Sequence, residues 1–129
     1  MKKFTMIFAM FVLVLVMLFV SHSIPNKDPE KARDALKANG YDVNLEFYND
    51  DSENIQEFEG LEASILAFAE DGTNRVAILY FENRKAANDA WDDIKKLVEE
   101  IKESDKSIIS NKLGSMIYYG TLPAIQATN

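Results

Sequence analysis

Side chains that commonly carry chemistry are sparse in this sequence, and their spacing excludes most reactions. There is one histidine, His22, and no cysteine. His22 lies ahead of the part expected to fold, so no nucleophile–histidine–acid constellation can be built around it. Without cysteine there is no thiol nucleophile, no disulfide and no thiolate zinc site. Acids come in adjacent pairs: Asp50-Asp51, Asp92-Asp93 and Glu99-Glu100. Neighbouring helical residues point about 100° apart, so the last two pairs read as a solvated helix face rather than converging carboxylates. Asn49-Asp50-Asp51-Ser52-Glu53 is the most oxygen-rich stretch, but it lacks the glycine and the spaced acid of a calcium loop. Arg84 and Lys85 open a helix, where cations oppose the helix dipole. With Asn83 they offer a small-anion site, but no glycine-rich phosphate loop accompanies them, and an exposed pair is the plainer reading. The expected catalytic, cofactor and metal sets are therefore empty.

The elements that would position such residues follow from periodicity. Asp28-Pro29-Glu30 supplies an N-cap, a first-turn proline and a first-turn acid, which predicts a helix ending at Asn39-Gly40. Val43, Leu45 and Phe47 alternate with Asn44, Glu46 and Tyr48, as a half-buried strand does. The acidic stretch that follows predicts at most one helical turn, around Asn54 to Phe58. Residues 61–70 and 75–82 are apolar runs joined through Asp71-Gly72, a hairpin signal. Asn83 caps a second long helix, to about Glu103, whose apolar stripe includes Ala87, Trp91, Ile94 and Val98. Trp91 reads as core packing. A second hairpin turns at Lys112-Leu113-Gly114, and a short helix follows from Leu122. The order α-β-β-β-α-β-β-α predicts an α+β fold, a mostly antiparallel sheet with helices packed on one face.

Parity across the first hairpin assigns its two faces. Ala63, Ile65, Ala67, Val76, Ile78 and Tyr80 share the alanine-rich face, which the helices are expected to cover. Leu66, Phe68, Leu79 and Phe81 share the other, and apolar residues on both faces mark central strands. That second face is the candidate partner-binding surface, since exposed apolar patches commonly mark interaction sites. The acidic loop, with Ile55 and Phe58, or the last helix, with Ile125, is the alternative cover.

At the N-terminus, Lys2 and Lys3 precede an apolar run that opens with Phe4 and closes with Val20, with Thr5 as its one polar residue. Seventeen helical residues reach roughly 25 Å, close to the thickness of a hydrocarbon core. The run is expected to meet the lipid bilayer, with the lysines inside and the remainder outside. Residues 1–23 then form a membrane anchor or signal peptide, 24–27 a linker and 28–129 an extracytoplasmic domain. Ser21-His22-Ser23 keeps cleavage near Ser23, and so secretion, as the alternative to a single-pass anchor. From Ile24 onward 12 basic residues face 21 acidic ones, a balance of −9. Such a domain is repelled by phosphate backbones, so nucleic acid is not an expected partner.

Asn39-Gly40-Tyr41, then Ile78-Leu79-Tyr80-Phe81-Glu82 running into the helix with Trp91, then Met116-Ile117-Tyr118-Tyr119-Gly120-Thr121 form a set. In these segments the chain resembles small exported or membrane-tethered α+β domain proteins of uncharacterised function in Gram-positive-type bacteria and their wall-less relatives. The resemblance implies localisation and fold, and no activity. The expectation is a non-enzymatic binding or structural module of the cell envelope, with a protein or envelope component as partner. Two alternatives stand beside it: a secreted carboxylate-dependent enzyme such as a hydrolase, and a cleaved secreted protein without a specific ligand.

Overall fold

In the computed structural model, which describes residues 24–48 and 58–129, the first helix starts where its cap chemistry dictates. The Asp28 carboxylate accepts from the amides of Glu30 and Lys31, and helix α1 runs Pro29–Ala38. Strand β1, Asp42–Phe47, follows the left-handed Gly40. Strands β2, Leu61–Phe68, and β3, Arg75–Phe81, form the first hairpin. Helix α2, Arg84–Ser104, begins with the Asn83 side chain accepting from the Ala86 amide at 2.8 Å. Strands β4, Ile109–Leu113, and β5, Met116–Gly120, make the second hairpin, and helix α3 is Leu122–Gln126. The expected element order holds throughout the described residues.

The five strands of the described residues lie in one sheet, ordered β1-β2-β3-β5-β4, with every neighbouring pair antiparallel. Strands β3 and β4 therefore run parallel and are joined by α2, which crosses over β5. The hairpin parity read from sequence is the observed one: Ala67 faces Val76 and Ile65 faces Ile78. One departure is a register shift between Leu61 and Ala63. Such an extra residue re-aims a side chain. Here it turns Leu61 away from the Ala63 face to pack with Phe81.

Helix placement corrects the one-face expectation. Helices α1 and α3 cover the alanine-rich face, burying Ala32, Leu36, Ala124 and Ile125 against Ile65, Ile78 and Tyr118. Helix α2 covers the opposite face, setting Ala87, Ile94 and Val98 against Leu61, Phe81 and Ile117. The fold is α+β in three layers, with the sheet in the middle. A sheet apolar on both faces needs cover on both, which explains the central strands.

Residues 24–27 are tied to the domain rather than hanging from it. Pro25 is fully buried. Tyr80 Oη donates to the Asn26 carbonyl at 2.8 Å, and the Asn26 amide donates to Thr128 Oγ1 at 3.1 Å. Asn129 Nδ2 donates to the Ile24 carbonyl at 2.8 Å. Among the described residues no helix is long and apolar enough to cross a membrane. The apolar run from Phe4 to Val20, His22, the Ser23 cleavage position and the oxygen-rich stretch from Asn49 to Glu53 lie outside the described residues. So does the proposed helical turn, except Phe58.

Candidate functional site

The four residues expected to form one partner-binding face share a side of β2 and β3, but α2 divides them. Phe81 is 3% exposed beneath α2, with the Phe58 ring 6.4 Å away between centroids. Leu79 packs half-buried against the same cluster. Leu66 and Phe68 lie where the cover ends and are 46% and 41% exposed. Phe81 is thus withdrawn from the surface, while Leu66 and Phe68 remain on it. Sequence parity carries no information on where a helix stops covering a strand, so it could not separate the two pairs.

Beside Leu66 and Phe68 the sheet and the end of α2 enclose a groove of about 160 Å³, lined also by Arg75, Ala77, Ile101, Ile108 and Tyr119. Its floor is fixed by the close approach of β5 to β3. A side chain at Gly120 would strike the Arg75 carbonyl and the Val76 Cα, so glycine alone lets the strands meet here. Ile108 is 1% exposed and anchors the chain as it leaves α2. Among the groove-lining residues that the sequence did not point to are Ile101, Ile108 and Tyr119. A signal for Ile101 existed in the apolar stripe of α2, but its partner strand was not assignable.

Two borders of this patch differ in charge. On the α2 side, Arg75 Nη2 lies 3.7 Å from Asp105 Oδ2, a contained ion pair. The Ser107 hydroxyl and then its amide bind Asp105 Oδ1, and with Arg75 they hold the Asp105 carboxyl below the usual range. On the β1 side, Asp42 pairs across from Phe68 and Asn44 from Leu66, with Glu46 following opposite Ser64. Asn44 Nδ2 donates to Glu46 Oε1 at 3.2 Å, and Tyr48 Oη donates to Glu46 Oε2 at 3.0 Å. Phe68 also lines a second hollow, with Tyr41, Asp42 and Glu70. Burial, with the nearby Asp71 charge second, raises the Tyr41 phenol above its ordinary value.

Among the described residues, the remaining sequence candidates are packed, paired or simply exposed. Lys85 Nζ sits 3.0 Å from Asp89 Oδ2, and the hollow beside it carries Glu59 and Glu82, which oppose an anion there. Trp91 packs at the margin of the α2 cluster, with Lys95 Nζ 5.6 Å from its ring centroid. Asp92 pairs with Lys95 at 3.4 Å, while Asp93, Glu99 and Glu100 are exposed on α2. Among the described residues, no group of three or more His, Asp or Glu side chains could hold a metal ion. Compared with known proteins, the chain matches no protein-family model, no curated protein and no solved structure.

Proposed function

We propose that this chain is a membrane-tethered, extracytoplasmic α+β module that binds a protein or envelope component and catalyses no reaction. The observation that carries the binding part is the groove beside Leu66 and Phe68, where two large apolar side chains stay about 40% exposed or more at the end of the α2 cover. Exposed apolar surface bordered by polar residues is typical of interaction sites. The groove's size supports a macromolecular partner. Pockets for small molecules usually hold roughly 300–1,000 Å³, whereas about 160 Å³ suits a single inserted side chain. The tether rests on the apolar run from Phe4 to Val20 behind Lys2 and Lys3.

Two measurements test the two parts separately. Intact mass combined with membrane fractionation decides the tether: full length in the membrane supports it, and a species beginning at Ile24 in the medium refutes it. An anilinonaphthalene sulfonate dye, which brightens on apolar surface, decides the groove. Enhancement that Phe68→Ser and Leu66→Ser abolish, with an unchanged circular dichroism spectrum, supports the site. Enhancement indifferent to both changes removes it.

A further inference from the structure

We infer that the groove takes a cationic apolar peptide segment, with one apolar side chain inserted beside Leu66 and Phe68 and a Lys or Arg laid over the β1 border. This rests on the binding reading above and names the chemistry of the occupant. The border is one-signed. Asp42, Glu46 and Glu70 surround the β1 side of Phe68 and Leu66, and Asp71 follows in the adjoining turn. On the other side the Arg75 charge is matched by Asp105, so it leaves no net field to offset these acids. Apart from Arg75, which Asp105 pairs, the groove is lined by apolar and aromatic side chains and admits one side chain, while the acids lie outside it. An apolar anchor in a pocket with charge at its rim is the ordinary division of labour in recognition: the anchor gives affinity, and the rim selects the partner and speeds encounter.

The same field argues against other occupants. A second copy of this chain would bring its own acidic border and a net charge of −7 to the interface. Anionic lipid and nucleic acid are repelled in the same way.

The test uses the full chain in a mild non-ionic detergent and two capped tetrapeptides, Lys-Phe-Leu-Lys and Glu-Phe-Leu-Glu, titrated by calorimetry. At low salt the lysine peptide should bind at least about tenfold more tightly, and the preference should shrink near 1 M salt, where the screening length falls to about 3 Å. Phe68→Ser should weaken the lysine peptide about tenfold or more. The double change Asp42→Asn with Glu70→Gln should reduce the preference to about twofold without weakening binding of the dye, itself an anion. Equal affinity for both peptides overturns the inference, as does a preference that survives the double change. Dye binding at Phe68 without binding of either peptide also overturns it, yet leaves the groove standing as an apolar site. If sedimentation shows a dimer that Phe68→Ser dissolves, the occupant is a second copy and the inference is wrong.

Discussion

Substituting Gly120 by alanine is the sharpest test of how the groove floor is built. The added methyl would meet the Arg75 carbonyl and the Val76 Cα, both backbone atoms of a strand flanked on each side by another. That backbone has little freedom to retreat. The Arg75 carbonyl accepts from the Thr121 amide at 2.9 Å, and the Arg75 amide donates to Thr121 Oγ1 at 3.2 Å. Relief of the clash must stretch those bonds or part β3 from β5. Overpacking of this kind costs about 1–3 kcal/mol, and backbone partners put it at the upper end. For a domain of this size each kcal/mol lowers the melting temperature by about 4–8 °C, so Gly120→Ala should lose roughly 10–20 °C. Gly72→Ala is the control: nothing lies near its added Cβ, and its φ of +74° leaves only local strain, about 1 kcal/mol. Trp91, the one tryptophan in the chain, reports urea or thermal unfolding of both variants by its fluorescence. If Gly120→Ala proves no less stable than Gly72→Ala, β3 and β5 are not locked at this point and the account of the groove floor fails.

Three further outcomes follow from the same geometry. Phe81→Ala should cost about 3–5 kcal/mol by emptying the space beneath α2, whereas Phe68→Ala should change stability by under about 1 kcal/mol; equal losses in denaturant titrations would mean that α2 does not divide the face. The Asp105 contribution is fully present above the ordinary aspartate value of about 3.9 and is lost as pH falls through its lowered folded value. Asp105→Asn should therefore flatten the acid limb of a stability-versus-pH curve in that window, and an unaltered limb counts against the Ser107 and Arg75 contacts. Burial, with the Asp28 charge second, raises the Tyr80 phenol, so its contribution is complete below the ordinary tyrosine value near 10 and is lost as pH rises through the folded value. In a spectrophotometric titration Tyr80→Phe should leave the amplitude up to about pH 11 unchanged, and a smaller amplitude would show that Tyr80 is not buried against Asn26.

Local chemistry was the legible part of this sequence. Asp28 and Asn83 cap the helices they were expected to cap, and Asp71-Gly72 marks the hairpin whose parity pairs Ile65 with Ile78. Placement over longer range was not legible. Both main helices carry an apolar stripe, and both sheet faces are apolar, so nothing in the stripes says which face each helix takes. That choice belongs to the crossover from β3 over β5 to β4, since parallel connections of this kind are right-handed in about 98% of cases. The bulge before Ala63 was hidden as well, because Leu61 continues the alternation of the residues after it. As for the candidate site, Leu66 and Phe68 could be found by parity, but Ile101, Ile108 and Tyr119 come from elements whose meeting is set by strand order.

Strand order also has a consequence in time. Strand β5 is among the last elements of the chain, yet it occupies the place between β3 and β4. Val76 must wait for Gly120, roughly forty residues later, before its second edge is paired. Until then β3 is an open edge, and α2 has only part of the surface it is meant to cover. Contacts of such separation close late and slow folding. A chain emerging N-terminus first would therefore hold an unfinished sheet until its final strands appear, and protection of that bare edge becomes a demand on whatever machinery handles it.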